Sequence, residues 1–145
     1  MEEDFDSKKV PARFVYCANE NCPVGAVCLR RLAYTHVSKE LATIHCVNLA
    51  ALPADSATCP HFLPAIKVKM AWGTSRLLEG LPYEKALAIN RDVRALYPHT
   101  TFQRIRRQEK PITPQKQRQI DAIFQYYGIR TSPQYDRVTE EYDFR

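Results

Sequence analysis

Cys17, Cys22 and Cys28 crowd twelve residues of this chain, as Cys17-x4-Cys22-Pro-x4-Cys28, and Cys59-Pro60-His61 follows about thirty residues later. Thiolates held this close together are costly to desolvate and easily oxidised, so a fold that gathers them has to ligate or shield them. A tetrahedral metal ion or a cubane cluster needs three or four thiolates converging from segments of fixed geometry. Cys17 and Cys22 flank the turn residues Asn19-Glu20-Asn21, and Pro23 suits the first position of a helix. From Val24 to about His36 the apolar positions recur at helical spacing. That helix is expected to carry Cys28 on its inner side, about one and a half turns in, and to turn Arg30 and Arg31 toward water. Cys59 lies in a loop from which it can complete the set, with His61 as reserve ligand and Cys46 on a core face of its strand.

The candidate metal ligands are therefore Cys17, Cys22, Cys28 and Cys59. Structural zinc sites usually show knuckles from C-x2-C to C-x4-C, and only the first gap here approaches that. Iron–sulfur sites tolerate looser spacing and often place Pro beside a ligating Cys, as Cys22-Pro23 and Cys59-Pro60 do. The pattern leans slightly to an iron–sulfur cluster over zinc. Five buried free thiols with no cofactor remain the alternative.

At 45% hydrophobic residues the chain can bury a core. No apolar run approaches the roughly 18 residues that cross a bilayer, which argues against a membrane partner. The start, Met1-Glu2-Glu3-Asp4-Phe5-Asp6, has no secretory h-region, so a cytoplasmic location is expected. In a reducing compartment an odd five cysteines do not make a disulfide framework.

Four segments are expected: a flexible acidic N-terminus (1–12), a Cys-rich head (13–72), a basic helical region (73–129) and an extended tail (130–145) dotted with Tyr135, Tyr142 and Phe144. In the head, residues 41–49 are rich in β-formers, and Ile66, Val68, Met70 and Trp72 alternate with Lys67, Lys69 and Ala71. These read as two strands, paired as a hairpin across the break at Pro53-Ala54-Asp55-Ser56. After Gly73 a short helix to Glu79 is expected, then an amphipathic helix over 83–97 that Pro98 ends. A short basic helix over 102–108 follows, opened by His99-Thr100-Thr101. A last helix has Thr113 as N-cap, Pro114 at its first position and Gly128 at its end. The fold class is α+β: a small Cys-rich head with a two-stranded hairpin, packed on a C-terminal three- or four-helix bundle.

Charge is uneven along this order. Residues 1–63 hold six Lys/Arg against seven Asp/Glu, residues 64–132 hold thirteen against five, and residues 133–145 hold two against four. The whole basic excess sits in the helical region, which favours contact with a polyanion there. Its helices suggest a helix-turn-helix arrangement, in which a short helix enters the major groove of DNA. Thr101, Gln103 and Arg104 are types that read bases, Arg106, Arg107 and Lys110 suit phosphates, and Thr100 opens the set. Phe102 and Ile105 would anchor the helix to the core.

The stretch Thr100-Thr-Phe-Gln-Arg-Ile-Arg-Arg-Gln-Glu-Lys-Pro-Ile-Thr-Pro resembles the recognition helix and exit turn of the phage-repressor-like helix-turn-helix family, departing from it where Pro98-His99 replaces the usual small turn residue. Across its length the chain also resembles a family of small uncharacterised proteins from gut Bacteroidales. That likeness is carried by Cys17/Cys22-Pro23/Cys28-Leu29-Arg30, Cys59-Pro60, Leu81-Pro82-Tyr83, Arg104-Ile105-Arg106-Arg107 and residues 133–142. It implies that head and tail form one evolved unit and brings no activity with it.

Catalytic motifs do not emerge: there is no P-loop, dinucleotide fingerprint, His-Glu-x-x-His or nucleophile elbow. A Cys46–His45 pair is ruled out because adjacent strand residues point to opposite faces. The reading is of a nucleic-acid-binding regulator with a Cys-liganded iron–sulfur or zinc centre. A protein-interaction or structural module with buried free thiols, and an iron–sulfur electron-transfer component, are the alternatives.

Overall fold

The computed structural model describes residues 5–53 and 59–144. Residues 1–4 of the acidic N-terminus and 54–56 of the expected strand break lie outside the described residues. The chain divides into two compact units, Met1–Lys67 with Tyr142–Arg145, and Val68–Glu141. Helices and strands mix in an α+β arrangement, in chain order β1 (Val15–Tyr16), α1 (Leu29–Thr35), β2 (His45–Cys46), β3 (Lys67–Trp72), α2 (Tyr83–Arg94), α3 (His99–Arg106), α4 (Pro114–Tyr126) and β4 (Arg137–Tyr142). No helix among the described residues is long and apolar enough to cross a membrane.

In the first unit, Phe14, Tyr16, Leu29, Ala33 and Leu63 form a buried core, and Phe5, Tyr142 and Phe144 pack against it. Phe144 meets Phe14 edge-on at 5.2 Å between ring centroids, so the chain's last aromatics dock on the head as a hydrophobic contact of favourable quadrupole geometry. The expected helix over 24–36 is broken in two. Gly25–Val27 form a 3-10 turn and α1 begins only at Leu29, with Cys28 as its N-cap in extended conformation (φ −100°, ψ 124°). The cause is tertiary. Cys28 makes an antiparallel bridge to Pro64, through hydrogen bonds from Leu29 N to Leu63 O (2.6 Å) and from Ala65 N to Val27 O (2.8 Å). A residue held in a ladder cannot also sit in the helix that periodicity suggested.

The expected head hairpin is also absent. β2 pairs with β1 in parallel, with Val15 opposite His45 and Tyr16 opposite Cys46, and β3 pairs with β4. Parallel strands require a crossover rather than a tight turn, and residues 17–44, with α1, supply it. Cys46 is exposed rather than on a core face, because β2 is two residues long and has only β1 beside it.

The second unit is held by Ala71, Leu77, Ile89, Val93, Phe102, Ile105, Ile112, Ile120 and Phe124. Each helix contributes one stripe at helical spacing: Ile89 and Val93 from α2, Phe102 and Ile105 from α3, Ile120 and Phe124 from α4. α4 starts as its residues dictate, with the Thr113 hydroxyl accepting from Lys116 N (3.4 Å) and Pro114 where a missing N–H costs nothing. Gly128 follows at φ +74°. Residues 74–79 form turns rather than the expected helix. The carboxylate of Asp136, just before β4, accepts from Ser75 Oγ (2.6 Å) and Arg76 N (3.2 Å), which holds the turn open. Gly73 (φ +81°) makes room for it, since a Cβ there would stand 2.7 Å from Asp136 Cγ.

Tyr97, between α2 and α3, has its hydroxyl buried without a hydrogen-bond partner among the described residues, and burial pushes its pKa up to about 12. The unfolded chain ionises this phenol near 10. The folded state therefore resists ionisation, and stability should fall as pH rises from about 10 to about 12. Tyr97→Phe removes an orphaned polar group, so it should leave stability near pH 7 unchanged or raised by about 1 kcal/mol, and make the alkaline decline shallower. Urea unfolding of both proteins near pH 7 and near pH 11 measures this; a variant markedly less stable near neutrality would contradict it.

Candidate functional site

Four of the five cysteines meet at one cavity in the first unit. Cys17, Cys22, Cys28 and Cys59 line it together with His61, and Cys46 does not. Different local structure delivers each one. Cys17 leaves the end of β1 with its N–H donating to Arg30 O (3.2 Å). Cys22 follows an Asx turn, in which Asn19 Oδ1 accepts from Asn21 N (3.2 Å), and its carbonyl accepts from Gly25 N (3.0 Å). Cys28 is fixed by its bridge to Pro64, and Cys59 opens a turn that Phe62 N closes onto the Cys59 carbonyl (3.2 Å).

Cys28 is buried, Cys17, Cys22 and Cys59 are half-buried, and all five thiols are free. The cavity measures about 20 Å³, little more than the space one water needs. A wider cleft of about 320 Å³ shares Cys22 and Cys59 with it, so those two thiols also face outward. Sharing a cavity is not a coordination sphere: among the described residues, no three His, Cys, Asp or Glu side chains stand in a ligand arrangement.

Arg30 and Arg31, expected to face water, line the same cavity. Helical side chains tilt toward the N-terminus, and both arginines lie in the first turn after Cys28. Arg30 donates from Nε to His61 O (2.8 Å) and from Nη1 to Val15 O (2.9 Å), with its guanidinium 5.3 Å from the Phe14 ring centroid. Nη1 of Arg31 is buried with no hydrogen-bond partner among the described residues, and its guanidinium stands 5.4 Å from the Tyr34 ring centroid. The position of these arginines two and three residues after a candidate ligand was a usable signal, masked because α1 was expected to start several residues earlier.

The second candidate surface is α3 and its exit. Phe102 and Ile105 are buried, while Thr100, Arg104, Arg106, Arg107 and Lys110 are exposed and Thr101 and Gln103 half-buried. Arg104 Nε stands 3.9 Å from Glu109 Oε2, an exposed pair of little energetic weight, and Arg106 Nη1 donates to Gln103 Oε1 (3.4 Å). Elsewhere in this unit, Tyr127 Oη donates to Asp92 Oδ2 (2.5 Å) and Arg91 Nε to Asp92 Oδ1 (3.0 Å). These two hydrogen bonds hold the Asp92 carboxyl below its ordinary range, and the one from Tyr127 joins α2 to the end of α4.

The chain is thus a small α+β protein with a thiol-lined cavity in one unit and a cationic helix in the other. Residues 1–144 match a family of unknown function, DUF6078, and the chain belongs to that family. No curated protein and no solved structure matches it.

Exposure orders the thiols. Limiting N-ethylmaleimide on the native chain should label Cys46 first and Cys28 last, with Cys22 and Cys59 ahead of Cys28, as read by peptide mass spectrometry. Cys28 labelled as fast as Cys46 would mean the cavity opens freely in solution.

Proposed function

We propose that this is a metal-binding protein whose first unit holds a thiophilic metal on Cys17, Cys22, Cys28 and Cys59. One observation carries the reading: four thiols from separate stretches of chain line a single cavity, and the fifth does not. Cys28 is itself a buried core residue, so the reading rests on the half-buried Cys17, Cys22 and Cys59 lining the same cavity beside it. Five free thiols favour a reducing compartment such as the cytoplasm. In the folded apo chain the ligands are gathered but not locked, so metal binding should tighten this unit and raise its stability.

A second reading belongs to the other unit: contact with DNA through α3, in the manner of a helix-turn-helix. The exposed basic residues Arg104 and Arg106 on α3, with Arg107 and Lys110 in its exit, and the anchors Phe102 and Ile105 favour it. Thr100, Thr101 and Gln103, near its start, are of types that can hydrogen-bond base edges. Together the two readings describe a metal-stabilised regulator.

Elemental analysis of anaerobically purified protein tests the first reading. Near-stoichiometric metal is expected in the wild type, sharply less in Cys22→Ser and Cys59→Ser, and an unchanged amount in Cys46→Ser. Metal-free protein that also fails to take up zinc, cobalt or iron would overturn it. For the second reading, DNA affinity should fall steeply with salt, and Arg104→Ala/Arg106→Ala/Arg107→Ala should abolish specific binding and reduce the salt slope by roughly three. Unaltered gel-shift affinity in that triple variant would remove it.

A further inference from the structure

Phe14 is the shared partner of the thiol cavity's wall and of residues 142–144. The guanidinium of Arg30, which lines the cavity, lies 5.3 Å from the Phe14 ring centroid. Phe144 meets the same ring nearly perpendicular, at 5.2 Å and 88° between planes. Phe144 is flanked in turn by Phe5 at 6.2 Å and Tyr142 at 6.4 Å, and Phe5 lies 5.6 Å from Tyr142. With this cover Phe14 is buried, while Tyr142 and Phe144 stay half-buried.

The backbone after Phe14 carries this contact to the thiols. Val15, the next residue, accepts from Arg30 Nη1 (2.9 Å), and Cys17 N donates to Arg30 O (3.2 Å). Arg30 Nε donates to the carbonyl of His61 (2.8 Å), in the turn that Cys59 opens. Arg30 therefore ties the stretch that delivers Cys17 to the turn that holds Cys59, from a seat on the Phe14 ring. That seat is only as fixed as the ring, which Tyr16 holds from nearby in the chain at 5.6 Å and Phe144 from far along it. The Arg30–His61 hydrogen bond faces solvent, and a wall held by such bonds opens locally unless apolar packing backs it.

We propose that residues 142–144 are a clamp on the thiol cavity: seated on Phe14, Phe144 keeps Arg30 in the cavity wall, and its departure opens the cavity to reagents in solution. Cys28, the buried thiol of the set, reports the state of the clamp. Cys22 and Cys59 already border the wider cleft, so their reactivity depends on it less. The clamp governs access alone and operates whether or not the cavity binds a metal.

The experiment uses the full-length chain, treated with chelator, kept anaerobic and exposed to N-ethylmaleimide, with the rate at each cysteine followed by peptide mass spectrometry. Phe144→Ala should speed Cys28 labelling about tenfold, through loss of one perpendicular aromatic contact and its buried area. The exposed Cys46 should keep its rate. The acceleration should change little in low urea, since a clamp opens locally whereas global unfolding carries the full denaturant slope. Arg30→Met should speed Cys28 as well, and the double variant should label it no faster than the quicker single, because both remove one restraint. Should Phe144→Ala not fold, Phe144→Leu, which keeps apolar bulk without the ring, is read the same way with a smaller acceleration expected. An unchanged Cys28 rate, an acceleration that follows the global urea slope, or single effects that multiply in the double variant would overturn the clamp.

Discussion

The first unit depends on the short antiparallel bridge between Cys28 and Pro64. Its two hydrogen bonds, Leu29 N to Leu63 O and Ala65 N to Val27 O, join segments more than thirty residues apart in the chain. They set the start of α1, hold Cys28 extended at the helix N-terminus, and bring the Cys59–His61 turn to the cavity that Cys17 and Cys22 also reach. Leu29 and Leu63, buried at the same place, provide the apolar contact that makes the bridge worth forming. Arg30 adds a second tie between the same turn and β1.

A comparable device orders the second unit. Ala71 and Ile112 exchange both backbone hydrogen bonds, at 3.1 and 2.7 Å, so the exit of α3 is stitched to β3. With Phe102 and Ile105 buried beneath it, α3 presents its arginines from a backbone fixed along its length and at its end. Gln108, at φ +59°, makes the sharp turn out of the helix and offers Nε2 to Asp136 at 3.5 Å. Asp136 is the shared acceptor of this unit's turn 73–76, and the space it occupies is the space Gly73 leaves empty.

Much of this was legible residue by residue. Pro98, Thr113-Pro114 and Gly128 punctuate the helical region where the chain actually turns, because a missing N–H, a capping hydroxyl and a positive φ are local requirements that no partner needs to supply. The stripes Ile89/Val93, Phe102/Ile105 and Ile120/Phe124 are likewise readable from spacing. Strand partners were not readable. The 41–49 segment and β3 looked like each other's partners by proximity, but β2 has its match in β1 and β3 in β4, sixty and more residues on. Period-2 patterning says that a strand has a buried face; it does not say which edge it pairs with. The helix over 24–36 failed for a related reason, since a ladder contact from Pro64 outweighed a few tenths of a kcal/mol of local propensity.

The amino-acid sequence alone identified the candidate side chains: four cysteines with a histidine, and the basic residues Arg104, Arg106, Arg107 and Lys110 interleaved with and following the apolar anchors Phe102 and Ile105. Composition and local spacing suffice there, because thiol and guanidinium reactivity are properties of the residue. Tertiary structure alone decided that the four thiols share one small cavity, that Cys46 stands outside it, and that Arg30 and Arg31 turn inward to line it. Those outcomes hang on hydrogen bonds between distant segments, whose energies no local window of sequence contains.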